Sequence, residues 1–312
     1  MPPHPQVADL LALINARGGP PVTEQSPEEF RAGFRAGSGA RGRPADPAPT
    51  EDRVVPGPAG DIPVRIYRPA APGPLPLVVY FHGGGWVIGD LDTHDGLCQY
   101  LAVGTPAVVV SVDYPLSPEH PFPAALEAAE AATRWAADHA RELGADPARL
   151  AVAGDSAGGN LATVVARRAR DASGPDVAFQ LLVYPVCDLT RSMPSYTENG
   201  TGYMLTGEMM ELFIDHYLAG GDPRDPDASP LFADDLAGLP PGLVLTAELD
   251  PLRDEGEAYA ARLRDAGVAV EVRRYDGMIH GFVGFDLLID DARTAIDDLT
   301  AALRAGLAPD GD

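Results

Sequence analysis

From Arg53 onward the chain alternates between short, almost wholly apolar runs and longer stretches with apolar residues at helical spacing. The apolar runs are Leu77–Phe81, Ala107–Val112, Leu150–Ala153, Phe179–Tyr184, Leu243–Thr246 and Val270–Tyr275. Between and after them, Pro123–Leu143, Ala157–Arg170, Arg253–Ala266 and Asp291–Leu307 read as helices. Near-continuous apolar strands alternating with helices predict an α/β fold with a mostly parallel central sheet, covered on both faces. Just upstream, Val54-Val55 and Ile62–Tyr67 flank the turn-rich Pro56–Asp61 and predict a β-hairpin.

Two regions break this rhythm. Residues 1–50 hold a short amphipathic pattern over Val7–Ile14 and a helix start at Glu28–Arg31, separated by Pro-, Gly- and Arg-rich sequence that cannot build a regular core. Residues 188–225 lie between two predicted strands but exceed an ordinary crossover, and carry Met204-Leu205, Met209-Met210 and Phe213-Ile214. An insertion at a strand's carboxyl end hangs over the active edge of such a sheet. With the N-terminal helices it can form a small helical cap; the plain alternative is a longer crossover helix with irregular ends. The expected organisation is therefore a cap in two parts, 1–50 and 188–225, and a core in two parts, 51–187 and 226–312.

Bulk properties narrow the classes. The 312 residues are enough for one large α/β domain with a small lid, and 45% hydrophobic with 22% charged is ordinary for a globular protein. No apolar run approaches the roughly 20 residues that span a bilayer, and Met1–Pro5 lacks a basic and apolar leader pattern, so a cytoplasmic location is expected. Cys98 and Cys187 are far apart and read as buried small hydrophobes. The net charge of −23, with all 23 basic residues arginine, fits a GC-rich coding bias as easily as salt adaptation. Either way the negative field disfavours nucleic acid and anionic membranes as partners.

The chemistry begins where Leu150–Ala153 runs into Gly154-Asp155-Ser156-Ala157-Gly158. A serine on a sharp strand-to-helix turn is held in a strained backbone, and its neighbours two residues away must be small for strand and helix to pass. Gly154 and Gly158 meet that demand. The turn also sets the hydroxyl at a helix N-terminus, which favours negative charge. Alone, the pentapeptide is common. It gains weight from His82-Gly83-Gly84-Gly85-Trp86, which follows the strand Leu77–Phe81. Consecutive glycines leave backbone N–H groups unobstructed, as acyl transfer requires of donors to a developing oxyanion. The residue after the nucleophile, Ala157, supplies a further N–H. A flexible glycine loop is the bland reading, and a phosphate loop lacks its lysine.

A serine alcohol needs a base, and the base an orienting acid. Of seven histidines, His4 lies in a loose terminus, His139 on an early helix, His216 in the insertion, and His94 and His120 in upstream loops. His82 belongs to the glycine loop and braces it. That leaves His280, just past Val270–Tyr275. Asp250 ends the region of Leu243–Thr246 one strand earlier; Glu248 and Asp254 are its rivals, with Asp254 better suited to the first turn of the next helix.

These motifs resemble the hormone-sensitive-lipase-like branch of the α/β-hydrolases, the bacterial carboxylesterases. The likeness rests on His82–Gly85, Gly154–Asn160, Asp250–Gly256, His280–Phe282 and Val112–Ala125, and covers roughly residues 50–310. It implies an α/β-hydrolase fold, a Ser156–His280–Asp250 triad, and an oxyanion hole of the Gly83, Gly84 and Ala157 N–H groups. It implies hydrolysis of small-molecule esters of short to medium chain, no cofactor or metal, and a homodimer with Val270–Tyr275 as its edge. Asp155 reads as structural, and Trp86 as a pocket wall or an ordinary core residue. An amide or formamide hydrolase and a non-catalytic binding scaffold are the competing readings. One departure stands out: Pro115 replaces the family's usual arginine, so no salt bridge is carried over to Glu119.

Overall fold

The computed structural model describes residues 2–18, 20 and 22–309. The apolar runs become strands β3 (Leu75–Phe81), β4 (Val108–Val112), β5 (Ala145–Asp155), β6 (Phe179–Val183), β7 (Gly242–Leu249) and β8 (Val270–Ile279), preceded by β1 (Thr50–Val55) and β2 (Ile62–Tyr67). They form one sheet in the order β1-β2-β4-β3-β5-β6-β7-β8. The hairpin is antiparallel from Thr50↔Tyr67 to Val55↔Ile62, β2 is antiparallel to β4, and the remaining neighbours are parallel.

The strands are apolar throughout because both faces are covered. Leu77, Val79 and Phe81 of β3 enter the layer shared with α4 (Ala124–Asp138), α5 (Ala157–Asp171) and α8 (Arg253–Asp265). Val78 and Tyr80 point the other way, toward α3 (Asp95–Gly104) and α9 (Asp290–Gly306), where Val7 and Leu10 of α1 (Pro5–Arg17) also pack. Parallel register aligns the strand ends: Phe81 lies opposite Gly154, and Asp155 opposite Val183. The residues that follow these strands therefore gather along one edge.

Helix α3 has no counterpart in the apolar spacing of the sequence. Seven of its 10 residues are buried, so it lacks the solvent-facing stripe that makes helical spacing visible. Its polar residues are satisfied inside: Gln99 exchanges two hydrogen bonds with the Ala48 backbone, and Asp95 accepts from Tyr67 and Arg65. Cys98, on the same helix, and Cys187 are both buried and free.

Residues 188–225 contain α6 (Pro194–Asn199) and α7 (Gly207–Leu218). The N-terminal region supplies α2 (Pro27–Gly37), started by a reciprocal capping box between Ser26 and Glu29. The two regions meet where Phe30 of α2 stacks on Phe213 of α7, centroids 5.5 Å apart and planes 8° from parallel. Among the described residues no helix is long and apolar enough to cross a membrane.

Candidate active site

Ser156, Asp250 and His280 each follow directly on a strand, β5, β7 and β8 in turn. Ser156 has φ 56° and ψ −119°, a conformation that side chains rarely adopt. Its surroundings enforce the strain. Its N–H donates to the Val183 carbonyl at 2.8 Å, and its carbonyl accepts from Asn160 and Val186 at 3.0 and 3.2 Å. A Cβ on Gly158 would collide with the Phe81 carbonyl oxygen, and one on Gly154 with the Gly158 backbone. Strand and helix can cross here only with glycine at both positions.

His280 connects the other two side chains. Its Nε2 lies 3.0 Å from Ser156 Oγ and its Nδ1 lies 2.8 Å from Asp250 Oδ2. Asp250 is fully buried, and its Oδ1 accepts the Leu252 N–H at 2.8 Å. A carboxylate on Nδ1 keeps the proton there and leaves Nε2 as the acceptor toward the hydroxyl. The ring of Tyr184 closes one side of the imidazole at 4.6 Å. The rival acids are occupied elsewhere. Glu248 accepts the Gly277 N–H at 2.7 Å, and Asp254 accepts the Ser195 N–H at 2.9 Å.

The glycine loop lies beside this chain of groups, with one difference from expectation. The Gly83 N–H donates to Asp155 Oδ1 at 2.8 Å and so points away from an incoming oxyanion. The physical reason is Asp155 itself, which reaches from the strand end beneath the loop and also accepts from Tyr80 Oη at 2.5 Å. Burial would raise the Asp155 carboxyl, but His94 at 3.5 Å and these hydrogen bonds outweigh it and hold the group well below the usual range. The N–H groups of Gly84, Gly85 and Ala157 make no such bond among the described residues. Gly84 has φ 122° and Gly85 φ 58°. A Cβ would strike the Ile88 carbonyl at Gly84 and the Phe213 ring at Gly85.

His82 is buried between Tyr114, stacked at 4.2 Å, and His94. Its Nδ1 lies 2.8 Å from the Gly83 carbonyl, and Tyr114 Oη donates to its own carbonyl at 2.6 Å. Burial, with the neighbouring His94 adding to it, pushes His82 down to about 4, which keeps the His82 imidazole neutral near pH 7. Trp86 has no exposed surface and stacks on Tyr217 of α7 at 4.0 Å, so it is a core residue and not a pocket wall.

Glu119 has a partner that the sequence did not reveal. Arg31 of α2 forms a two-pronged pair with Glu119, at 2.9 and 2.6 Å, and donates to the carbonyls of Val87 and Ser117. Its spacing from Glu119 is 88 residues, so no local pattern could have shown it. His94 was likewise indistinguishable from a loop histidine, since its partner Asp155 is brought to it only by the sheet.

A family model for the alpha/beta hydrolase fold matches residues 78–284. The "Carboxylic ester hydrolase LipN" of Mycobacterium tuberculosis is 47% identical over 285 residues, 89% of this chain and 76% of that protein. The "Ethyl acetate hydrolase" of Pseudomonas putida is 40% identical over 253 residues, 79% of each. Among solved structures, the hyperthermophilic esterase from Pyrobaculum calidifontis superposes with a TM-score of 0.92 at 43% identity, covering 98% of this chain and 99% of that one.

Proposed function

The chain belongs to the hormone-sensitive-lipase-like α/β-hydrolases and is a carboxylesterase, and from that premise we propose that it cleaves short- to medium-chain esters through an acyl-enzyme on Ser156. The observation that carries this reading is the continuous contact from Ser156 Oγ to His280 Nε2 to Asp250. His280 takes the hydroxyl proton as Ser156 attacks the ester carbonyl, and Asp250 stabilises the imidazolium that forms. The negative oxygen is received by the N–H groups of Gly84, Gly85 and Ala157, because Gly83 is engaged by Asp155. His280 then protonates the leaving alcohol, and water repeats the sequence on the acyl-enzyme.

The two parts of the cap, residues 1–50 and 188–225, bound the acyl pocket and favour short chains. Supporting this, Phe213 sits against Gly85 and is backed by Phe30, so aromatic bulk begins at the oxyanion loop itself. A 4-nitrophenyl ester series from acetate to decanoate, run beside 4-nitroacetanilide, tests the reading. The expected kcat/KM peaks at acyl chains of up to about six carbons and exceeds the anilide by at least about a hundredfold. Activity that climbs steadily to the longest chain, or parity with the anilide, contradicts it.

A further inference from the structure

Helix α6, the first helix of the inserted segment, lies against the turn that carries Asp250. Asn199 is its last residue and is buried, and its Nδ2 donates to the carbonyls of Glu248 at 3.1 Å and Asp250 at 3.2 Å. Ser195, one turn earlier and fully buried, donates through Oγ to the Pro251 carbonyl at 2.6 Å. Its N–H donates to Asp254 Oδ2 at 2.9 Å. Glu198 pairs with Arg253 at 2.7 Å, and Arg253 donates in turn to the Glu248 carbonyl at 3.2 Å. The carbonyls of Glu248, Asp250 and Pro251 are thus all bonded by side chains of this one helix.

The acid depends on that support. The register of β7 against β8 shifts between Ala247 and Leu249, so the regular ladder is interrupted just before Asp250. One carboxylate oxygen of Asp250 accepts the Leu252 N–H of its own turn, and the other faces His280 Nδ1. The direction of the carboxylate therefore follows the backbone of the turn, and α6 satisfies the buried carbonyls of that backbone. The same segment also reaches the base. A Cβ on Gly281, the residue after His280, would come within 2.8 Å of Met204 Cε. Residues 195–204 thus touch the acid at one end and the neighbour of the base at the other.

We infer that Asn199 is a positioning residue for ester cleavage: by holding the Glu248 and Asp250 carbonyls it aims the Asp250 carboxylate at His280 Nδ1. The inserted segment then sets the rate of the chemical step as well as covering the sheet edge. This rests on the Ser156–His280–Asp250 reading above. Asn199 acts only through Asp250, whose help is greatest once charge has developed on the imidazole. Its effect therefore falls on kcat and not on KM. A carboxylate displaced by a fraction of an ångström leaves the ring less well oriented toward Ser156, and such misplacements are costly even when they begin outside the reacting groups.

The test uses the full chain as wild type, Asn199→Ala, Asn199→Asp, Asp250→Asn and Gln99→Ala, with phenyl acetate as substrate. Gln99→Ala is the control for stability, since it deletes a buried amide that bonds the Ala48 backbone. The readouts are kcat, KM, the urea midpoint and the low-field proton resonance of His280 Nδ1–H, identified by its loss in His280→Gln. Asn199→Ala is expected to lower kcat by about tenfold with KM within about twofold, and to move the resonance upfield. Gln99→Ala is expected to lower the urea midpoint and to leave kcat and the resonance unchanged. Asn199→Asp, close in shape but without the amide donor, should repeat the kcat loss, and it carries the comparison if Asn199→Ala fails to fold. An unchanged kcat in the Asn199 variants, a loss confined to KM, an unmoved resonance, or an equal kcat loss in Gln99→Ala overturns the assignment. Failure of the underlying reading is distinct: Asp250→Asn would then keep the wild-type kcat, whereas an orienting acid loses most of it on that change.

Discussion

At Ser156 the backbone is held at φ 56° by bonds to Val183, Val186 and Asn160, so the strain at the proposed nucleophile is maintained by its neighbours and not by its own side chain. Asp113 illustrates a different cost at the same scale. It follows β4, and burial, with Asp90 adding to it, raises its carboxyl to about 6; no described residue hydrogen-bonds that carboxylate. An acid raised in the folded state contributes stability below its unfolded value near 3.8, and loses it as pH rises through about 6. Asp113→Asn, which mimics the protonated form, is therefore expected to stabilise the protein at pH 7.5 by up to about 3 kcal/mol. The gain should vanish near pH 4. Urea unfolding at both values measures it, and an equal gain at the two, or none at pH 7.5, contradicts the assignment. The proposed nucleophile, base and acid were legible as residues because each stands at a strand end with a local signature. The direction of the Gly83 N–H was not, since a backbone proton follows from Asp155, which the sequence places 72 residues away.

Among elements, the central strands and α5, α8 and α9 were readable because burial on both faces, or on one stripe, leaves a period in the sequence. Helix α3 was hidden by burial on nearly every side, and α2 showed only its start. What fixes α2 is Arg31, which ties it to the loop after the glycine run at Val87 and to the Ser117–Glu119 turn. Glu119 is half exposed, so the ion pair itself contributes little, although the same bond holds the Glu119 carboxyl down at about 2. The bonds to the two carbonyls should dominate. Arg31→Gln is expected to cost about 1–2 kcal/mol in urea unfolding and to speed amide exchange in α2 while leaving α5 unchanged. Glu119→Gln, which keeps the carbonyl bonds, should cost no more than about a third as much. Equal effects from the two variants would assign the anchoring to the ion pair instead.

For the whole molecule, one sheet brings a loop from residue 82, a serine from 156, an aspartate from 250 and a histidine from 280 to a single edge. That convergence follows from parallel strands whose ends are in register, and the alternation of apolar runs and helices foretold it. The proposed cap was visible only as an interruption, because its two parts meet in the Phe30–Phe213 stack across more than half the chain. The net charge of −23 carries no information about this architecture. The central claim, that Ser156 is the nucleophile, is tested most directly by mass spectrometry of the intact chain after treatment with a fluorophosphonate. The account predicts a single adduct per chain, mapped to the peptide containing Ser156, lost in Ser156→Ala and strongly slowed in His280→Ala. An adduct on any other residue, or an undiminished adduct in Ser156→Ala, would contradict it.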